Sequence, residues 1–181
     1  MATSKSSSFW LTEALVLDDL LIHQGTISLG AYLDVGDSQA VSVEEVRFTW
    51  MRMNTALGTF NYDLASAVAA NANMGAQLTS LNPETLIVRA DDNTLVASGS
   101  LNLDDTNNIT SDGPDLVPDV FGKSDESRFL VNDSLFFTAY NTGALGADRA
   151  VVCVVHIKAR IVKLSTRDWI AISIQNTASD S

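Results

Sequence analysis

The chain has 181 residues, of which 46% are hydrophobic, and a formal net charge of -11. A single domain of this size buries roughly 70% of the surface its unfolded chain exposes, so it requires no disulfide or metal staple. With one cysteine it cannot form an internal bridge, and no stretch approaches the length of uncharged apolar sequence that a membrane-spanning helix needs.

The charge is unevenly placed. Residues 1–145 carry 6 basic and 19 acidic side chains, whereas residues 146–181 carry 5 basic and 3 acidic. Aspartate outnumbers glutamate 17 to 5, and only 4 of the 11 basic residues are lysine. Such a surface suits solubility at high ionic strength, where repulsion between like charges is screened, and predicts a saline origin. The blander alternative is an acidic protein rich in loops, because aspartate also favours turns. The start, MATSKSSSF, has one lysine and no apolar h-region after it, so the chain is expected to be made and folded in a cytoplasm without export.

Alternation with period two dominates the elements. Residues 1–11 read as a flexible arm ahead of a single domain over 12–175, with a flexible tail at 176–181. Thr26–Val35 reads as a strand with Ile27, Leu29, Ala31, Leu33 and Val35 on one face. After the turn signal GDSQ, residues 40–53 form a second strand. Its apolar set starts on Val41 and Val43 and switches phase to Val46, Phe48 and Trp50. One extra residue at Glu44-Glu45, a bulge, would produce that switch. Residues 56–83 are rich in Ala, Asn and Gly, with Asp63 a candidate cap for a short helix over Leu64–Ala72. Residues 84–105 read as a hairpin turning at Asp91-Asp92-Asn93.

A long acidic loop is expected over 106–127. Strands follow at 128–141 and 149–164. In the last, Val151, Cys153, Val155, Ile157, Ala159 and Ile161 make one continuous apolar face, so Cys153 reads as a small buried hydrophobe. The other face, Val152, Val154, His156, Lys158, Arg160 and Val162, begins apolar and becomes basic. STRDWIAISIQN (165–176) fits a strand by its alternating isoleucines. It also fits a short helix or terminal arm in which Ser165 and Asp168 form the cap, and this reading is preferred. Seven or eight strands with little helix indicate an all-β, antiparallel β-sandwich or barrel. Val46, Phe48, Trp50, Ile87, Phe129, Phe137, Val155 and Ile157 are the expected core.

Catalytic chemistry finds little support. His23 and His156 have no metal-ligand spacing, and no nucleophile elbow, phosphate loop or dinucleotide fingerprint is present. No cofactor is implied, and no enzyme activity is expected. The acids with most chance of converging are Asp104, Asp105, Asp112, Asp115 and Asp119. They are a weak Ca²⁺ candidate, since their spacing matches no EF-hand and a solvated loop explains them as well. Asn108-Ile109-Thr110 and Asn132-Asp133-Ser134 fit the glycosylation pattern. The pattern to carry forward is the basic one: His156, Lys158 and Arg160 on one strand face, with Lys163 and Arg167 close behind. On an acidic protein such a patch meets anionic lipid, nucleic acid or the acidic surface of a neighbouring copy, unless it is simply a solvated strand end.

In size, strand pattern and acidity, and in the AVSVEEVRFTW and VVHIKARIVKL strands, residues 12–175 resemble the small single jelly-roll major capsid proteins of tailless, membrane-containing icosahedral viruses of haloarchaea and thermophilic bacteria. The resemblance implies a single jelly roll of about eight strands and a structural virion protein that self-assembles into capsomers. A second capsid protein and an inner membrane are its implied partners. Unlike coats that package single-stranded genomes directly, this chain has only Lys5 in its Ser-rich start. Condensation of a genome and sequence-specific nucleic acid binding are therefore not expected. The competing function is a receptor- or carbohydrate-binding β-sandwich of a spike or fibre. That module predicts exposed aromatics near the acidic loop, where only Phe121 lies.

Overall fold

The computed structural model describes residues 2–18, 21–84, 86–113 and 129–178, with the backbone alone for Val35 and residues 175–178. The described residues form eleven strands and one α-helix. In chain order these are β1 (Thr3–Ser4), β2 (Phe9–Leu17), β3 (Ile22–Ser28), β4 (Gln39–Asn54), β5 (Thr59–Asn61), β6 (Ala72–Thr79), β7 (Leu95–Asp104), β8 (Ile109–Asp112), β9 (Phe129–Leu130), β10 (Ser134–Asn141), β11 (Arg149–Lys163) and α1 (Thr166–Ala178).

All pairing is antiparallel and it is nested. β2 pairs with β11, β3 with β10, β4 with β9, and β6 with β7, each pair lying within the one before it along the chain. Folding that nested hairpin over itself places β2, β11, β4 and β9 in one sheet (sheet A) and β3, β10, β6 and β7 in the other (sheet B). This is the single jelly roll, eight strands in two packed sheets. β1 on β11, β5 on β4 and β8 on β7 are short additions at its edges.

The sheets face each other through alternate residues. Val151, Cys153, Val155, Ile157 and Ala159 of β11 are fully buried, opposite Leu135, Phe137 and Ala139 of β10 and Met74 and Leu78 of β6. Phe48 and Phe137 stack across the gap with centroids 6.1 Å apart. Each large side chain buried here contributes roughly 1.5–3 kcal/mol relative to exposure. The expected bulge is present: Lys158 pairs with Glu45 but Ala159 pairs with Val43, so Glu44 is the extra residue. It keeps Val41 and Val43 on the same inner face as Val46 and Trp50. A second cluster forms where Trp169 and Ile172 of α1 pack on Ala40, Val131, Val162 and Leu164. Ser165 caps that helix by accepting the Asp168 N–H at 3.2 Å.

Several expectations change. The strand expected over 26–35 lies earlier, at Ile22–Ser28, because the Leu29 and Gly30 amides turn onto the Asp133 carbonyl and the chain folds back there. No helix covers 64–72. Only Ala65–Ala67 makes a 3-10 turn, since Val68 bridges to Leu145 and the Ala69 amide bonds the Ala144 carbonyl instead. The hairpin expected over 84–105 is built from β6 and β7. Residues 86–89 are not a strand but a strap over the outside of sheet B. The Gln77 amide group bonds both backbone groups of Val88 at 2.8 and 2.9 Å, and Gln24 donates to the Glu84 carbonyl at 2.7 Å. Glutamines rather than apolar residues hold this strap, and Ile87, an expected core residue, is 37% exposed. Phe129 is half-buried in a separate two-residue strand, divided from β10 by Val131–Asp133. Residues 3–4 and 9–11, expected in a free arm, pair with β11.

Candidate assembly surface

The outer face of sheet A holds the residues singled out in the sequence. β11 directs His156, Lys158 and Arg160 outward, between β2 and β4. In register, Trp10, Lys158 and Glu45 lie side by side, as do Thr12, His156 and Arg47. The bulge gives this basic end a carboxylate at its centre. Glu44 accepts Arg160 Nε at 2.8 Å and the Ser8 hydroxyl at 2.7 Å, with Lys158 Nζ 3.9 Å away. Lys163, ending β11, bonds Asp37, and this ammonium beside it holds the Asp37 carboxyl below the usual carboxylate range, helped by Gln39. Arg47 pairs with Glu45. Arg167 stands exposed on the first turn of α1. Three of the five basic-patch residues thus engage acids of their own chain, and both acids come from the β3–β4 turn and the bulge.

The N-terminal segment is bound into this end. The Lys5 amide donates to the Ile161 carbonyl at 2.9 Å, and the Ser6 hydroxyl accepts the Ile161 amide at 2.9 Å, replacing a ladder bond where β1 breaks from β2.

No protein-family model matches the chain. No curated protein sequence matches it either. The case for function therefore rests on the geometry.

The opposite end of the same sheet face is apolar. Rows across β5, β4, β11 and β2 read Phe60–Met53–Ala150 and then Met51–Val152–Val16. The β4–β5 hairpin that projects from it turns at Gly58, whose φ of +63° favours glycine. It exposes Leu57 (74%), Phe60 (55%) and Tyr62 (74%). Residues 53–62 include no charged side chain. In the sequence this segment stands out only for Ala, Asn and Gly from residue 56 onward, although it also holds a charge-free run with Phe60 and Tyr62, bounded by Arg52 and Asp63. Nor does the sequence mark Glu44 as the hub, since it shows only that residue's backbone role.

Three of the five acidic candidates lie among the described residues. Asp104 accepts the Asn107 amide at 3.1 Å and its side-chain N–H at 2.6 Å, which together hold the Asp104 carboxyl low. The Asp105 amide is bonded to Asn71, and Asp112 lies in β8 opposite Leu101. Asp115, Asp119 and Phe121 lie outside the described residues. Among the described residues, no group of three or more His, Cys, Asp or Glu is placed to hold a metal ion.

The two histidines stand on different sheets, with His23 on β3, 3.9 Å from Asp18. Cys153 is buried in the core, and burial pushes its thiol pKa up, away from the reactive thiolate. Of the two glycosylation patterns, Asn132 donates to the Ser80 carbonyl at 2.7 Å, while Asn108 sits in the turn before β8 with φ +54°. An open groove of about 490 Å³ lies across β6, β7 and β8 of sheet B, lined among others by Asn71, Asn73, Asn102, Asp104 and Thr142. No helix among the described residues is long and apolar enough to cross a membrane.

Proposed function

We propose that this chain is a structural virion protein, a capsid subunit that assembles with copies of itself into capsomers of an icosahedral shell. Fold alone does not assign function. The observation that carries the reading is an exposed one. On a surface otherwise rich in aspartate, the jelly roll presents large apolar side chains on a projecting charge-free hairpin and on its terminal helix. Contiguous exposed apolar surface on an acidic protein marks a contact site. In this reading the chain acts by association through its surfaces. The aspartate-rich surface fits a virus of a saline host, with the subunit made in the host cytoplasm and placed in the shell beside a second capsid protein or over an inner membrane.

Light scattering and electron microscopy of the purified chain across concentration and salt test this. Discrete, regular oligomers are the expected result, and a monomer under every condition would overturn self-assembly. Carbohydrate binding is a second reading, favoured by the amide- and hydroxyl-lined groove beside Asn73 and Asn102. A glycan array that shows a saturable ligand, lost in Asn102→Ala, would move the assignment there.

A further inference from the structure

We infer that copies of this chain associate head to tail: the β4–β5 hairpin of one copy seats against helix α1 and the basic end of sheet A on the next. This rests on the self-assembly reading and specifies its contact.

The hairpin leaves Leu57, Phe60 and Tyr62 exposed on a run without charge. The same end of the sandwich carries acids. Asp18 follows β2, Asp63 follows β5, and Asp104 and Asp105 end β7 beside Asn71. The carbonyl of Asp148 takes the Thr55 amide at the base of the hairpin. The two arginines of this end are held by their own chain: Arg52 bonds the Ser66 hydroxyl, 3.6 Å from Asp63, and the exposed Arg149 bonds the Ser66 carbonyl.

At the other end, α1 uses Trp169 and Ile172 against its own sheet. That leaves Ile170 (47%) and Ile174 (63%) on an outward stripe, four residues apart. Trp10 is exposed on the same outer face, beside Lys158. Here Lys5, Arg47, Lys158, Arg160, Lys163 and Arg167 outnumber the acids set among them, Asp37, Glu44, Glu45 and Asp168.

The two patches match in both respects, apolar to apolar and acidic rim to basic rim. They cannot meet within one copy. β4 separates them by 16 residues, roughly 50 Å of extended chain. Because the surfaces differ, the contact is heterologous, and repeating it closes a ring when the rotation allows. A hairpin-to-hairpin dimer would instead oppose two acidic rims, and an anionic bilayer would be repelled by the same rim.

Two surface variants test the contact: Leu57→Ser with Phe60→Thr, and Ile170→Gln with Ile174→Gln, both checked for native circular dichroism and examined by sedimentation velocity. The wild-type chain should assemble, each variant alone should be monomeric, and a mixture of the two should give only 1:1 dimers, because one intact hairpin and one intact helix remain. Single cysteines provide a second readout, since Cys153 is buried. Leu57→Cys mixed with Ile174→Cys should form a disulfide heterodimer under mild oxidation.

If the helix variant assembles like the wild type, or Leu57→Cys cross-links to itself, the head-to-tail contact is wrong while self-assembly stands. Wild-type chain that stays monomeric at all concentrations sinks the self-assembly reading and this contact with it. Flotation of monomeric wild type with phosphatidylcholine vesicles, lost in the hairpin variant, would assign the hairpin to lipid and overturn the contact.

Discussion

The two ends of sheet A's outer face are made by the same pair of strands, β4 and β11, yet they are finished differently. At the end near Lys163, the bulge and the β3–β4 turn bring Glu44 and Asp37 to the basic side chains, Ser6 and Ser8 tie down the N-terminal segment, and α1 covers Ala40 and Val162. At the end near Arg149, small outward residues such as Ala150 are shielded by their cross-strand neighbours, and the larger Phe60 and Tyr62 stay in solvent. One end has much of its charge answered by its own chain and keeps Trp10, Ile170 and Ile174 exposed. The other leaves a charge-free apolar hairpin uncovered. Charge pattern alone pointed to the basic end as the sticky one, whereas the side-chain contacts show that much of its charge is answered internally.

The contrast can be probed from its foundation outward. Phe137→Ala, in the core beneath both ends, should cost about 3–5 kcal/mol and abolish fold and association together, read as a fall in the denaturant midpoint. Gly75→Ala should cost about 1–3 kcal/mol, because a Cβ there would overlap the Tyr140 ring that lies across it. That loss belongs to sheet B and should leave the sheet A contacts of the refolded protein intact.

Glu44→Gln should lower stability by up to about 1 kcal/mol, and the difference from wild type should shrink in molar salt, where exposed pairs are screened. The Lys163–Asp37 pair sets a pH test. Because the folded Asp37 pKa is depressed, the pair's contribution is fully present above the unfolded carboxylate value and is lost as pH falls through the lower folded one. Acid unfolding followed below about pH 4 should therefore be shallower in Asp37→Asn. The smallest effect on stability is expected at the hairpin. Tyr62→Ser should change the unfolding free energy by less than about 0.5 kcal/mol while weakening association, a dissociation of the two properties that Glu44→Gln, which breaks an internal pair, should not show.

Legibility followed side-chain size. β4 and β11 could be read nearly to the residue, including the bulge, because branched and aromatic residues alternate along 15 or more positions with polar ones. β6 alternates as strictly, with Met74, Ala76 and Leu78 inward and Asn73, Gly75 and Gln77 outward. Its small residues and asparagines hide that period, so the sequence predicts no strand there. The strap over 86–89 misleads in the opposite direction. Leu86, Ile87 and Val88 look like a strand, but the position is decided by side-chain bonds from Gln24 and Gln77, two residues far away in sequence and silent about their partners.

The basic patch was legible as a set of charges but not as a set of pairs. Glu44 and Asp37 reach it only through antiparallel registry between strands more than 100 residues apart. Sequence by itself determined the all-β class, the long core strands with their inner faces and the phase switch at Glu44, since each is written in local periodicity, while over 165–176 it favoured a capped helix over a strand without deciding between them. Tertiary structure alone decided how the strands nest, which acid answers which base, and that the exposed apolar surface sits on the charge-free hairpin. Those outcomes depend on non-local pairing, where a residue's surroundings are supplied by distant chain and no local pattern carries the information.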